Sequence, residues 1–355
     1  MSIILIIATS GRMLAQIANR LGFKTLVIDL YADKDTEQAA LKLWQIQDLG
    51  LNHLKPILQV IKQYYTVDYL IYGSGFEQHI DSLFYLETEF NLIGNRAEVF
   101  NAVQNKHYFF NTLKQYQIPH PETQFIPPNN QANWLIKPMQ GQGGLGIDYY
   151  NNQDYKNHYW QYYQQGFNHS VLFLADGETI SILGFNTQWT TQSFLFSGII
   201  NHCSIPEQNK LDIIVYVKIL SKVFKLKGLN SLDFIFYDNK VYVLEINARI
   251  SASMQLYGDN VLLNHIENTL NIEKQNGFSG YQIIYAKQPV IISEQITWQE
   301  NCVDLPQNGQ ICQTGQPICS IIAHHEHAAE LRRLLISQQH FLELGFYTHA
   351  IPSQR

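Results

Sequence analysis

The first thirty residues constrain the fold most. Ile3–Ala8 is an unbroken apolar run, mostly β-branched, the pattern of a strand buried on both faces. Thr9-Ser10-Gly11 makes a turn. Met13, Leu14, Ile17, Ala18 and Leu21 then recur at helical spacing, and Gly22 supplies the stop. Thr25–Asp29 is a second apolar run, ending in an acid. A strand–helix–strand unit with loops this short makes the two strands parallel. A further strand, Tyr69–Tyr72, runs into Gly73-Ser74-Gly75-Phe76-Glu77. Ligands of open parallel sheets bind beyond the carboxyl ends of strands. Asp29 and the Gly73–Glu77 turn both fall at such ends.

A chain of 355 residues is long enough for two or three domains of that kind. Its net charge of −6 leaves no basic footprint for nucleic acid. No apolar stretch reaches the roughly 18 residues of a membrane-spanning helix. The apolar start lacks the basic flank of a secretion signal. The four cysteines, Cys203, Cys302, Cys312 and Cys319, contain no CxxC pair. They read as reduced thiols, so a cytoplasmic protein is expected.

Further along, residues near 99–117 read as one helix, with Val103, Phe109, Phe110 and Leu113 on a shared face. Trp134–Lys137 is a short strand, and Gly141–Gly146 is a glycine-rich loop that matches GxGxxG. Ile147-Asp148-Tyr149-Tyr150-Asn151-Asn152, directly after it, does not look like a helix start. The loop therefore reads as a flap between two strands rather than a dinucleotide turn. Glycines there let backbone N–H groups approach phosphate oxygens. Lys137 precedes the flap, and its ammonium is a compact charge suited to phosphate. Ser170–Leu174 pairs with Thr179–Leu183, and a helix occupies roughly 208–226. The tail holds strands near 282–286 and 317–323 and a helix near 327–339.

The strongest local signal is a hairpin. Ser231–Tyr237 and Lys240–Ile246 flank the turn Asp238-Asn239. Asp233 lies in its first strand. Glu245 and Asn247 lie in the second, two residues apart and therefore on one face. Hard oxygen donors from neighbouring strands suit Mg²⁺, which takes one or two carboxylates plus substrate phosphates. Arg249 has the same parity, and a guanidinium there can neutralise charge on a transferring phosphoryl group.

In this order, Lys106, Lys137, the glycine loop, the segment Trp160-Gln161-Tyr162-Tyr163, Asp233 and Glu245-Ile246-Asn247-Ala248-Arg249 resemble the ATP-grasp superfamily. Within it, Ser10-Gly11-Arg12-Met13-Leu14-Ala15, Gly73–Glu77, Leu92-Ile93-Gly94-Asn95, Asp304-Leu305-Pro306, Gly309 and Gly315–Cys319 resemble the branch of ATP-dependent carboligases related to biotin carboxylase. The resemblance implies an ATP-grasp fold of α/β and α+β class. An N-terminal open parallel-sheet domain would run over 1–98, a two-lobed nucleotide-binding region over 99–275, and a small α+β domain over 276–355.

The resemblance also implies roles. Lys106, Lys137, Gly143 and Gly144 would hold ATP phosphates. Gln161, Tyr162, Tyr163 and Leu244 would complete the nucleotide site. Asp233, Glu245 and Asn247 match the family's magnesium ligands, with two ions expected and Mn²⁺ as a substitute. Arg249 matches the arginine beside the acyl phosphate. Ser74, Gly75, Glu77 and Ser251 would face the acceptor. Ala248 stands where the family often has proline, and Gln161 where many relatives have glutamate. The implied activity joins a carboxylate to an amine or thiol, releasing ADP and phosphate, and family members are commonly homodimers. Two alternatives are a carboligase using bicarbonate and a non-catalytic ATP-binding regulator.

Overall fold

A computed structural model of the chain describes residues 2–129, 132–153, 155–272 and 276–348. The N-terminal segment alternates β1 (Ile3–Ile7), α1 (Arg12–Arg20), β2 (Lys24–Asp29), α2 (Lys34–Ala39), β3 (Lys42–Gln45), α3 (Leu51–Tyr64), β4 (Tyr69–Tyr72) and α4 (Ile80–Glu89). Its strands lie in the order β3-β2-β1-β4, and every pairing is parallel. The apolar run of β1 matches cover on both faces. Leu5 and Ile7 feed one core, while Ile4 and Ile6 pack with Leu14, Ile17 and Ala18 of α1 in another. These four β1 side chains are fully buried, each contributing about 1.5–3 kcal/mol.

The single helix expected near 99–117 is two: α5 (Ala97–Gln104) and α6 (Lys106–Gln115). Asn105 causes the break. Its side-chain oxygen accepts from the Tyr108 N–H at 3.0 Å, capping α6. The break places Lys106 at the first helical residue, where it is buried.

A small sheet comes next, with order β5-β8-β6-β7 from Thr123–Gln124 (β5), Trp134–Pro138 (β6), Asp148–Tyr149 (β7) and His158–Tyr162 (β8). The glycine loop joins the antiparallel pair β6 and β7, as its sequence suggested.

The large sheet takes β9 (Phe167–Asp176), β10 (Ile180–Thr190), β11 (Phe196–Ile200), β12 (Lys227–Tyr237) and β13 (Lys240–Asn247), with α7 (Glu207–Phe224) between β11 and β12. After α8 (Asn260–Glu267) come β14 (Phe278–Tyr285), the short strands β15 (Val290–Ile291), β16 (Cys302–Val303) and β17 (Ile311–Cys312), β18 (Pro317–His325) and α9 (Ala328–Thr348). The order β13-β12-β9-β10-β11-β14-β18-β16 runs through both regions. The strands of the tail therefore extend the sheet that begins with the central hairpin. Among the described residues, no helix is long and apolar enough to cross a membrane.

Candidate active site

The site starts from the β12–β13 hairpin. Asp238 and Asn239 both have positive φ, +49° and +56°, as a tight two-residue turn requires. Tyr237 pairs with Lys240 and Phe234 with Val243. Continued regularly, this register would set Asp233 opposite Leu244. It shifts by one between Asp233 and Phe234, so Asp233 pairs with Glu245. The Val243 N–H leaves the ladder and donates to the Pro119 carbonyl at 2.8 Å. Leu244 is the extra residue of a bulge, and it lines the cleft. Residues directly opposite share a face, so the bulge is what brings Glu245 to the side of Asp233.

Asn247 joins them. Its Nδ2 donates to Asp233 Oδ2 at 3.0 Å, and Gln188 of β10 donates to Asp233 Oδ1 at 3.3 Å. Burial, then the nearby Glu245, pushes the Asp233 carboxyl well above the ordinary range. Two carboxylates and an amide on adjacent strands are hard donors, and a divalent cation fits them. Among the described residues there is no cluster of three or more His, Cys, Asp or Glu to cage a metal. A cation here would complete its shell with ligand oxygens, as Mg²⁺ does.

Two lysines face this group. Lys106 Nζ lies 3.5 Å from Glu245 Oε2. Lys137, at the end of β6, donates to Gln161 Oε1 at 2.7 Å. Burial pushes the Lys137 ammonium down to about 8, with Glu245 opposing that fall. Gln161 is buried, and its amide also reaches Thr123 Oγ1 at 3.1 Å. Its side chain therefore positions Lys137. The N–H groups of Tyr162 and Tyr163 donate to the carbonyls of Glu122 and Asn133, while both tyrosines line the cleft.

The flap between β6 and β7 lies against the turn after β10. Gly143, Gly144 and Gly146 all have positive φ. A Cβ on Gly144 would sit 1.9 Å from the Phe194 carbonyl oxygen. Phe196 N–H donates to the Gly143 carbonyl at 2.9 Å. Gln142 reaches across to Thr9 Oγ1 at 3.2 Å.

Arg249 comes just after β13 and is almost buried. Its Nε donates to Glu77 Oε1 at 2.8 Å, and its Nη2 donates to Asn247 Oδ1 at 3.1 Å. Glu77, expected on the acceptor side, is buried beneath Arg249 and also accepts the Gly75 N–H at 2.8 Å. Ser74 and Ser251 line the cleft, whereas Gly75 and Glu77 lie outside its lining. The cleft itself holds about 750 Å³.

Several lining residues escaped the sequence reading. His169 and Gln188 come from β9 and β10, whose alternation is uninformative about which polar residue faces a ligand. Burial pushes the His169 imidazole down to about 4, so its ring is neutral at ordinary pH. Asp33 was missed as well; it lines the far end with Arg12 and Asp304, which entered the sequence reading only as parts of resembling stretches, and only chain folding brings the three together.

Residues 103–253 match the family model of the ATP-grasp domain. An uncharacterized protein of Methanocaldococcus jannaschii is 24% identical over 359 aligned positions, spanning 90% of this chain and 87% of that protein. Biotin carboxylase from Campylobacter jejuni matches with a TM-score of 0.73 at 14% identity, over 96% of this chain and 94% of that one. N5-carboxyaminoimidazole ribonucleotide synthetase from Thermotoga maritima gives 0.70 at 15% identity, over 96% and 98%. L-amino acid ligase from Bacillus licheniformis gives 0.71 at 15% identity, over 95% and 96%. Residues 103–253 therefore carry an ATP-grasp domain, and the chain as a whole shares the fold of these solved structures.

Proposed function

We propose that this chain is an Mg²⁺-ATP-dependent ligase that joins a carboxylate to an amine through an acyl phosphate, releasing ADP and phosphate. The observation that carries the reading is convergence. Asp233, Glu245, Asn247, Lys106, Lys137 and Arg249 all line one cleft beneath a glycine flap. A binding module needs fewer of them. The ligase and synthetase names among the fold relatives support the same reaction type.

In this reading Lys106, Lys137 and the flap around Gly143 and Gly144 bind the phosphates. Tyr162, Tyr163 and Leu244 bound the adenosine. Asp233, Glu245 and Asn247 hold Mg²⁺, two ions in all with Mn²⁺ as a substitute, and the metal's charge offsets that of the phosphates. The substrate carboxylate oxygen attacks the γ-phosphorus, and the bond to ADP breaks. Arg249, fixed by Glu77, offsets charge on the resulting acyl phosphate. The amine nitrogen then attacks the acyl carbon, phosphate leaves, and the nitrogen loses a proton. Ser74 and Ser251 stand on the acceptor side. A cytoplasmic homodimer acting on small molecules, with no nucleic-acid or membrane partner, completes the reading.

The test is release of ADP and phosphate from Mg²⁺-ATP, with pooled carboxylates and amines added together and separately. Release that needs both pools is expected. Dependence on bicarbonate instead would favour a carboligase. Failure to bind Mg²⁺-ATP would overturn the reading altogether.

A further inference from the structure

The cleft continues past Arg249 to an end where the N-terminal sheet meets the tail. That end is acidic. Asp29, Asp35 and Asp304 gather around Asp33 and the guanidinium of Arg12. Three of these four carboxylates are supplied with donors. Asp29 accepts the N–H groups of Gly11 at 3.0 Å and Ala32 at 2.8 Å. Asp35 accepts those of Asp304 at 2.9 Å and Leu305 at 3.0 Å. Asp304 accepts from Arg12 Nε at 2.8 Å and from the Tyr281 hydroxyl at 3.0 Å.

Asp33 differs. It is 5% exposed, lines the cleft, and its carboxylate has no hydrogen-bond partner among the described residues. It occupies the N-cap position of α2, where an aspartate ordinarily accepts a helical N–H, yet it makes no capping bond. Burial, then Asp304, Asp29 and Asp35, pushes its proton up to about 8. The carboxylate opens onto the cleft rather than into the core, and a bound cation with hydrogen-bond donors would relieve the cost of its burial and of its acidic neighbours.

We propose that Asp33 receives the acceptor substrate as its ammonium and takes up one of its protons before the nitrogen attacks, and that this acceptor carries no carboxylate beside that ammonium. The inference rests on the ligase reading above and narrows its amine. An ammonium brings three donors and a positive charge. Tyr31 and Tyr285 line the same end and offer it aromatic surface. A neighbouring carboxylate would find Arg12 with four of its five N–H groups engaged, by Asp304 at 2.8 and 3.4 Å, by Gln255 at 3.1 Å and by Gln16 at 3.4 Å. In the ligase reading Arg249 serves the acyl phosphate, so it is not available to that carboxylate. An α-amino acid or bicarbonate would instead meet the surrounding aspartates.

The probe is n-butylammonium, with n-butanol and n-butyrate as its neutral and anionic counterparts. Binding to the full chain is followed by calorimetry, with Mg²⁺-ATP affinity measured in parallel. Saturable binding of the ammonium alone is expected. Asp33→Asn should weaken it about tenfold or more, the loss of one charge-assisted contact, while Mg²⁺-ATP affinity stays unchanged. Butanol or butyrate binding as well as butylammonium, or no ammonium binding to the wild-type chain, would overturn the proposal. So would an Asp33→Asn variant that keeps Mg²⁺-ATP affinity and binds ammonium normally. The wild-type comparison of the three probes decides the matter even if the variant misfolds. Loss of Mg²⁺-ATP binding by the wild-type chain strikes the ligase reading instead.

Discussion

Arg249 Nε donates to Glu77 Oε1 at 2.8 Å, joining groups 172 residues apart in the chain. Both side chains are at least nine-tenths buried. One end of this pair sits beyond β4 of the parallel sheet and the other just after the metal-suited hairpin. The pair therefore ties the N-terminal sheet to the β12–β13 hairpin and fixes where the guanidinium points. Glu77→Gln should lower kcat about 100-fold, the scale of a misplaced catalytic group, with little change in the KM for ATP. Steady-state kinetics check this. A rise in the KM for ATP with unchanged kcat would place Arg249 on the nucleotide instead.

Glu245 belongs to the donor set opposite Asp233. Glu245→Gln keeps the shape and removes the charge. Turnover should fall at least about 100-fold, as when an electrostatic group is removed from a phosphoryl-transfer site, and the Mg²⁺ needed for half-activity should rise. Circular dichroism should be unchanged. Full activity in this variant would sink the metal assignment.

Lys137 carries a pH prediction. Its ammonium titrates near 8 because of burial. It is charged below that pH and neutral above it, so in the proposed ligase its pull on phosphate would fade as pH rises through 8. ATP dissociation constants for the wild-type chain should climb between about pH 7 and 9. Lys137→Met should bind ATP weakly across the range with a flatter profile. Titrations by fluorescence or calorimetry give both curves.

Gly144 has φ +80° and faces the Phe194 carbonyl oxygen at 1.9 Å from where a Cβ would lie. Gly144→Ala must move the flap or the turn after β10. A non-glycine residue also costs about 1–2 kcal/mol in this backbone region. The KM for ATP should rise about tenfold, while the melting temperature moves little because the flap is outside the core. A large fall in melting temperature with normal KM would contradict this.

His265 is buried, with its Nδ1 accepting the Leu229 N–H at 2.9 Å and with Gly94 and Gly228 packed on the ring. Burial pushes it down to about 4, against about 6.5 in an unfolded chain. The unfolded chain takes up a proton below 6.5 that the folded chain refuses until about 4. Stability therefore falls as pH falls across that window, by up to about 3 kcal/mol from this residue. His265→Gln keeps an acceptor and cannot protonate, so urea unfolding should show a shallower acid loss. His169, held down to about 4 by burial as well, keeps part of that loss in the variant.

The parallel sheet was legible because its signal is local. Ile3–Ala8 is apolar at every position, and the turn and helix after it leave one way to connect the strands. The β12–β13 turn was legible for the same reason, since Asp238-Asn239 tolerates positive φ. The two-helix break at Asn105 was not. Its apolar face continues through the break, and the cap depends on a side-chain oxygen that could equally have faced water.

Residue spacing alone put Glu245, Asn247 and Arg249 on one strand face. It did not put Asp233 there. A regular ladder from the same turn would have opposed Asp233 to Leu244 and left Glu245 on the far side. The bulge, held by the Val243 N–H on the Pro119 carbonyl, corrects the parity. Arg12 meeting Asp304, 292 residues away, and the donorless Asp33 beside them are products of the same long-range packing. Strand alternation is a property of the chain itself. Register, and which buried charge finds a partner, depends on what the neighbouring strands and loops offer.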